Sequence, residues 1–259
     1  MPVLLLHGFP QSSHQWRHLL PPLASAGFCA VAPDQRGYSP RARPADVEAY
    51  HVDHLVGDAL AVAEQLGWDR FHLVGHDWGA VVAWVLAARH PDRLHTVTAV
   101  SVPHPLAYVQ TLASGSADQV ARSLYIGFFQ RKELAERVLL ADECAGLRAL
   151  FANTAFTDRA ALEHYVERLC DPEALTAALN WYRAVDLALL AGVGPVAVPT
   201  LYVWSTEDPA LGREAAERTR DYVTGPYRFE VLDGVSHWIA EDAPDELTRL
   251  VLQHLDSAQ

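Results

Sequence analysis

An aspartate occupies the nucleophile position of a sharp strand-to-helix turn. Residues 74–80 read Val-Gly-His-Asp-Trp-Gly-Ala, the G-x-nucleophile-x-G pattern with Asp77 where most such turns carry serine. A serine there forms acyl-enzymes from esters and amides, whereas a carboxylate attacks saturated carbon and leaves an alkyl ester on the protein. The sequence therefore predicts substrates that carry a strained ring or a good leaving group on carbon.

The residues on either side support this turn. An apolar run rich in β-formers at 70–74 precedes it, an alanine-rich helical segment at 80–89 follows it, and Gly75 and Gly79 leave room for a strained backbone. The free N–H groups and the dipole at a helix N-terminus favour an ionised carboxylate, so Asp77 needs no base to activate it. The alternative is that Asp77 only caps the helix, as aspartate often does.

Two later loops provide an acid and a base. With this type of turn the chain order is nucleophile, acid, histidine, and the last two follow late strands. The segment Trp-Ser-Thr-Glu-Asp-Pro at 204–209 follows one late strand, and a loop ending in His237 follows the next. We assign Asp208 as the acid and His237 as the base, with Glu207 and Asp233 as alternative acids.

The first strand ends in His-Gly-Phe-Pro at residues 7–10, next to the turn that carries the nucleophile. We expect the backbone N–H groups of Phe9 and Trp78 to form an oxyanion hole. Such donors stabilise the tetrahedral species that forms when water attacks an ester on Asp77. A simple turn is the alternative interpretation of this His-Gly pair.

Alternating elements must position these groups. Apolar runs predict strands at 2–6, 28–32, 70–74, 95–102, 200–204 and 227–232, and helical patterns predict helices at 13–26, 53–66, 80–89 and 244–255. This alternation predicts a parallel sheet, with core segments at 1–103 and 192–259. Residues 104–191 show only helical periods, at 131–140, 159–170 and 172–186, and we interpret them as an inserted cap. A cap beyond the carboxyl ends of the strands would enclose the nucleophile and exclude water.

Composition limits the other possibilities. The 259 residues, half of them hydrophobic, suit one α/β domain with an insertion. A net charge of −12 argues against nucleic acid and anionic membranes as partners. No leader and no membrane-spanning run are recognisable, so we expect a cytoplasmic protein. Cys29, Cys144 and Cys170 are scattered and odd in number, and we expect three separate buried thiols in a reducing compartment.

Over essentially its whole length the chain resembles the epoxide hydrolase branch of the α/β-hydrolase superfamily. The matching segments are His-Gly-Phe-Pro at 7–10, Asp-Gln-Arg-Gly-Tyr-Ser-Pro at 34–40, Gly-His-Asp-Trp-Gly at 75–79, Glu-Asp at 207–208 and Gly-Val-Ser-His-Trp at 234–238. The resemblance implies an α/β-hydrolase fold with a helical cap, and an enzyme that needs no metal or organic cofactor. It also implies two ring-opening tyrosines, Tyr125 within residues 123–130 and Tyr182 within residues 179–183.

Epoxide chemistry explains the need for two phenols. Ring opening produces an alkoxide, a poor leaving group that must receive a proton or strong hydrogen bonds, and a phenol with a pKa of about 10 supplies them at neutral pH. A departing halide needs only N–H donors. Trp78 suits haloalkane dehalogenases too, but Phe9 stands where many of them carry asparagine, and fluoroacetate dehalogenases usually carry arginine at the position of Trp78. Without these motifs, Tyr125 and Tyr182 would be interpreted as packed helix residues.

Three alternative functions therefore remain from the sequence. The first is a haloalkane or haloacid dehalogenase with the same nucleophile, and the second is another reaction on the same scaffold, since the fold and the turn do not fix the substrate. The third is a non-catalytic ligand-binding homologue, although a receptor need not retain Asp77, Asp208 and His237 together. The apolar, aromatic-rich cap favours a small hydrophobic substrate.

The chain departs from the resembling family at its start. Members usually begin with two strands before the His-Gly-Phe-Pro strand, and these first two family strands are missing here. The strand at 28–32 is then expected to form an open edge with unpaired backbone groups. We expect either a start further upstream or a form prone to association, so that a homo-oligomer is possible.

Overall fold

Six apolar strands form one parallel sheet in the computed structural model, which describes residues 1–152 and 158–257. The strands are β1 Pro2–Leu6, β2 Cys29–Val31, β3 Phe71–His76, β4 Leu94–Val100, β5 Thr200–Glu207 and β6 Tyr227–Ser236. They lie in the order β2-β1-β3-β4-β5-β6, and each neighbouring pair is parallel. This sheet confirms the predicted α/β fold, and β2 lies at its edge as expected.

The strand order fixes where a site can form. The chain passes from β1 to β2 on one side and then returns to place β3 on the other side of β1. The direction of winding therefore reverses between β1 and β3, and the carboxyl ends of strands at such a reversal leave a crevice for ligands. The loop after β1 and the turn after β3 both open into this crevice.

Alternate residues of each strand point to opposite faces of the sheet, and both faces are buried under helices. Leu4, Leu6 and Leu73 belong to one apolar cluster, whereas Val3 and Val74 belong to the other. Each such side chain stabilises the fold by roughly 1.5–3 kcal/mol when it leaves water. The helices that cover the sheet are α1 Leu20–Ser25, α2 Val52–Gln65, α3 Trp78–Arg89, α11 Arg213–Arg218, α12 Ile239–Asp242 and α13 Pro244–Asp256.

One predicted helix is divided in the structure. The segment 13–26 forms a 3-10 turn at Ser13–Trp16 and then the short helix α1, which begins at Leu20. Pro21 and Pro22 follow at the first turn of α1. A proline has no N–H to donate to an earlier carbonyl, so one continuous helix through this segment is excluded.

A helical insertion separates β4 from β5. Its described helices are α4 Pro105–Ala113, α5 Ala117–Arg122, α6 Leu124–Phe129, α7 Leu134–Ala149, α8 Arg159–Leu169, α9 Pro172–Arg183 and α10 Leu187–Ala191. Helix α7 is longer than predicted and has non-helical backbone angles at 141–144. Residues 153–157 of the predicted cap and 258–259 of the predicted core lie outside the described residues. The cap boundaries at 104 and 191 stay a prediction.

Charged side chains fasten this insertion to the sheet domain. Arg17 donates to both carboxylate oxygens of Glu241, at 2.9 and 2.7 Å, and also to Asp158 at the start of α8. Tyr165 of α8 donates to the same Glu241. Glu241 has only 1% of its side chain exposed, so these donors compensate for the loss of water around a buried carboxylate.

The cysteine prediction is wrong. Cys144 of α7 and Cys170 at the end of α8 form a disulfide with their Cα atoms 5.9 Å apart, and Cys29 is exposed. The 26-residue separation gives no local signal, because packing of α7 against α8 creates the proximity. The inference of a reducing compartment therefore loses its basis. Among the helices of the described ranges, none is long and apolar enough to cross a membrane.

Candidate active site

Asp77 lies in a strained turn between β3 and α3. Its backbone has φ 51° and ψ −121°, which L-residues rarely adopt. A Cβ atom at Gly75 would lie 2.2 Å from the carbonyl oxygen of Gly79, and one at Gly79 would lie 2.1 Å from the carbonyl oxygen of Leu6. Only glycine fits at either position, so the sequence pattern is required by backbone contacts around the turn.

The carboxylate of Asp77 points toward the loop after β1. The backbone N–H of Phe9 donates to Asp77 Oδ1 at 2.8 Å, and Asp77 is only 8% exposed. A Cβ atom at Gly8 would lie 2.3 Å from Asp77 Oδ1, so this loop also needs glycine. One of the two expected oxyanion donors therefore faces the carboxylate, and the N–H of Trp78 belongs to the first residue of α3.

His237 and Asp208 form a buried pair beside this carboxylate. His237 Nδ1 donates to Asp208 Oδ2 at 2.8 Å, and His237 Nε2 lies 3.5 Å from Asp77 Oδ2. Glu207 is exposed, and Asp233 accepts a hydrogen bond from Thr206. Of the three carboxylates considered from the sequence, Asp208 is thus the one that contacts the imidazole.

Four donors surround the Asp208 carboxylate, which is fully buried. Oδ2 accepts from His237 and from the hydroxyl of Ser101, whereas Oδ1 accepts from the backbone N–H groups of Ala210 at 2.8 Å and Leu211 at 3.0 Å. Burial acts to raise the pKa of Asp208, but the positive charge of His237 and these hydrogen bonds lower it overall. Asp208 is therefore ionised at neutral pH.

The two carboxylates also control the protonation of His237. Burial acts to lower the pKa of His237, but the charges and hydrogen bonds of Asp208 and Asp77 outweigh it and raise the pKa from 6.5 to about 10. The imidazole is therefore protonated at neutral pH in the resting site. His76 Nε2 donates to the carbonyl oxygen of His237 at 2.9 Å and helps to position this loop.

Ser101 is a member of this cluster that the sequence did not reveal. It directly follows β4 with φ 71°, and its Oγ lies 2.6 Å from Asp208 Oδ2 and 2.8 Å from His237 Nδ1. The hydroxyl donates to the carboxylate, so its oxygen lone pair faces the N–H of His237. The predicted strand at 95–102 includes this serine, whereas β4 ends at Val100 and leaves Ser101 at the carboxyl edge of the sheet, where catalytic side chains lie.

Tyr125 of α6 and Tyr182 of α9 lie near Asp77. Their ring centroids are 6.1 Å apart with nearly perpendicular planes, and the Tyr182 ring also lies 5.1 Å from that of Trp78. Burial and then the negative charge of Asp77 raise the pKa of both phenols well above the usual value of 10. Both hydroxyls therefore keep their protons at neutral pH.

Two small cavities meet at these residues. One of about 130 Å³ is lined by aromatic side chains, including Phe129 and Trp238, together with His237. The other, of about 90 Å³, is lined mainly by aliphatic side chains. Asp77, Tyr125 and Tyr182 line both cavities. An apolar cavity of about 150 Å³ is large enough for benzene, so the two spaces suit small hydrophobic groups.

A larger cavity lies elsewhere and is a poorer candidate. It measures about 890 Å³, is lined by the edge strand β2 and helix α2, and does not include the nucleophile, histidine or acid positions. Its main charged pair, Arg36 and Asp58, is already joined by hydrogen bonds of 2.6 and 2.7 Å. Chemistry is therefore better supported at the two smaller cavities around Asp77.

Comparisons with known proteins agree with this geometry. A family model described as alpha/beta hydrolase fold matches residues 1–244. Epoxide hydrolase A of Mycobacterium tuberculosis is 34% identical over 98% of this chain and 89% of its own length. Epoxide hydrolase 4 of Mus musculus is 33% identical over 96% of this chain and 71% of its own. The crystal structure of an epoxide hydrolase of Bacillus megaterium in complex with an inhibitor superposes with a TM-score of 0.89, at 28% identity, over 98% of this chain and 93% of that one.

Proposed function

This chain belongs to the α/β-hydrolase fold family and has epoxide hydrolases among its relatives over nearly its whole length, and from this premise we propose that it opens epoxides to vicinal diols through an ester on Asp77. One observation carries the proposal: the carboxylate of Asp77 shares both cavities with two protonated phenols. A nucleophile facing two acids is the arrangement that ring opening requires.

In the first step Asp77 attacks an epoxide carbon while the ring C–O bond breaks. Tyr125 and Tyr182 donate hydrogen bonds to the ring oxygen, on which negative charge develops. Because burial keeps both phenols protonated, they are competent donors across the neutral pH range. The ring oxygen takes the proton that the His237 imidazolium supplies through the phenols, so this step ends with a hydroxyalkyl ester of Asp77 and a neutral His237.

In the second step water cleaves the ester. Neutral His237, held by Asp208 through Nδ1, takes a proton from water at Nε2, and the resulting hydroxide attacks the carbonyl carbon of Asp77. The Phe9 N–H, which already donates to this carboxyl group at 2.8 Å, and the Trp78 N–H stabilise the oxyanion. The diol then leaves and the carboxylate of Asp77 is regenerated.

The substrate that this site favours is small and hydrophobic. The two cavities have few polar groups besides Asp77, His237 and the phenols, and their walls are aromatic on one side and aliphatic on the other. We therefore propose an uncharged epoxide with an aryl or alkyl substituent. A charged substituent would lose its hydration there without gaining a partner.

Parallel product assays test the proposal. The protein is incubated with aliphatic and aryl epoxides, matched haloalkanes and haloacids, and both diol and halide are measured, with Asp77→Ala as the control. We expect diol from epoxides with the native protein and none with Asp77→Ala. Halide release without diol would identify a dehalogenase instead, and bound but unconverted epoxide would indicate a ligand-binding protein.

A further inference from the structure

Side chains form hydrogen bonds with the backbone of the loop at 208–212, which begins with the acid Asp208 and is called the acid loop below. Within residues 208–212, Asp208 itself accepts from two backbone N–H groups, and the indole N–H of Trp204 donates to the carbonyl oxygen of Leu211 at 3.1 Å. These contacts come from the sheet domain. They leave the carbonyl oxygens of Asp208 and Ala210 and the N–H of Gly212 in need of partners, because buried backbone groups are rarely left unpaired.

Those partners come from the cap. Gln119 of α5 accepts from the N–H of Gly212 at 2.8 Å and donates to the carbonyl oxygen of Ala210 at 2.9 Å. Arg122, one turn later, donates to the carbonyl oxygen of Asp208. Gln119 is only 1% exposed, so its amide is committed to this loop rather than to solvent.

The same helix leads directly to one of the ring-opening phenols. The side chain of Gln119 also donates to Ser123 Oγ at 3.0 Å, and Ser123 is the residue from which α6 begins. Tyr125 lies in the first turn of α6. A single glutamine therefore connects the acid loop of the sheet domain with the cap segment that carries Tyr125.

We propose that Gln119 is a positioning residue for both half-reactions, because it holds Asp208 and Tyr125 in a fixed spatial relation. This inference rests on the proposed function. Without the glutamine the acid loop and the start of α6 can separate, so that Tyr125 drifts from the epoxide oxygen and Asp208 from His237. Displacements of about 1 Å at a reacting centre cost up to about 100-fold in rate.

The test replaces Gln119 with methionine, which has similar length but cannot form the two loop hydrogen bonds. Single-turnover reactions are quenched rapidly, and mass spectrometry measures formation and decay of the Asp77 ester. We expect both rate constants to fall at least about tenfold in Gln119→Met. Tyr125→Phe should slow mainly ester formation, and Asp208→Asn should slow mainly ester decay. Gln110→Met on the neighbouring helix α4 is the matched control, since that glutamine is exposed and its side chain accepts a hydrogen bond from Tyr222 rather than bonding to the acid loop, and both its rate constants should match the native ones.

The rate constants of ester formation and decay do not depend on how much of the protein is folded, whereas the amount of ester formed does. Measuring both therefore separates a positioning effect from a loss of folded protein. A purely structural role would lower the amount of ester formed per protein and leave both rate constants unchanged, and that result would overturn the inference. Slowing of ester decay alone would also overturn it, because the acid loop would then be held without any coupling to Tyr125.

If Gln119→Met does not fold, Arg122→Met on a partly exposed side chain tests the same coupling with the same two expected decreases. Absence of any Asp77 ester in the native protein would instead contradict the proposed function itself.

Discussion

Replacing Asp208 with asparagine should separate the two half-reactions. The change leaves Asp77 and both phenols in place, so ester formation continues. The asparagine oxygen can still accept from the N–H groups of Ala210 and Leu211, but its NH2 group then faces Ser101 and His237, which are donors in the native site. The imidazole is therefore driven toward the tautomer with its proton on Nε2, where it cannot take a proton from water.

The size of the effect follows from the electrostatics of the pair. The rise in the pKa of His237 from 6.5 to about 10 corresponds to roughly 5 kcal/mol of preference for the charged imidazole, to which Asp208 and Asp77 both contribute. A positioned general base contributes about 10²–10⁴-fold to a proton-transfer step. We therefore expect ester hydrolysis to slow by about 10³-fold and ester formation to change by less than about tenfold.

The assay is single-turnover mass spectrometry with an epoxide identified by the diol measurement. Asp208→Asn should accumulate close to one alkyl group per protein, mapped to the peptide that contains Asp77, while the native protein shows the ester only transiently. Asp233→Asn is the matched control, because this carboxylate lies nearby, is exposed and bonds to Thr206 rather than to His237. If ester formation slows as much as hydrolysis, or if diol appears with no protein ester, the reasoning about a two-step mechanism is refuted.

Three further predictions concern the phenols, the turn that carries Asp77 and acid stability. Tyr125→Phe and Tyr182→Phe should each slow ester formation by about 10- to 100-fold with little change in ester decay, as one of two donors is lost; equal slowing of both steps would contradict their role in ring opening. Gly79→Ala should lower the free energy of unfolding by about 2–3 kcal/mol in urea titrations, since its Cβ would lie 2.1 Å from the backbone oxygen of Leu6, whereas Gly57→Ala, which meets no atom within 4 Å, should be neutral or slightly stabilising. Burial lowers the pKa of His72 from 6.5 to about 3, so its contribution to stability is present above pH 6.5 and is lost as the pH falls toward 3. His72→Gln should therefore reduce the stability loss between pH 7 and pH 4.5 by roughly 2–3 kcal/mol, and an unchanged loss would show that other groups determine acid unfolding.

The parts of the site that lie next to strand ends were predictable from the sequence. Asp77, Asp208 and His237 each follow an apolar run that becomes β3, β5 or β6, and parallel strands bring their carboxyl ends to one edge. The glycines at 75 and 79 belong to the recognisable turn pattern, and the structure explains them, because an added Cβ would lie 2.2 or 2.1 Å from a backbone oxygen. The two cap tyrosines were found only through the family resemblance, since helical periodicity does not distinguish a phenol at a site from one in a core.

Contacts between segments that are distant along the chain leave no recognisable pattern in the sequence. Ser101 contacts Asp208 across 107 residues, and Gln119 contacts Gly212 across 93. Neither residue belongs to a local motif, and both are ordinary polar residues in sequence. The disulfide between α7 and α8 was missed for the same reason. These contacts arise from the packing of neighbouring strand ends, of cap helices on each other and of the cap on the sheet domain, none of which periodicity alone specifies.

The charge of the site also explains how one histidine serves both steps of the proposed cycle without a net gain or loss of protons. Before the reaction, two carboxylates keep His237 protonated. Esterification removes the charge of Asp77, so the pKa of His237 falls just when ring opening has produced an alkoxide that needs a proton. The imidazolium can supply that proton through the phenols and become the neutral base that hydrolysis requires. When water cleaves the ester, its proton returns to His237, and the proton of the new Asp77 carboxyl group goes to the departing alkoxide. The regenerated carboxylate then stabilises the imidazolium again. The 3.5 Å contact between His237 Nε2 and Asp77 Oδ2 therefore helps to set the charge of the resting site.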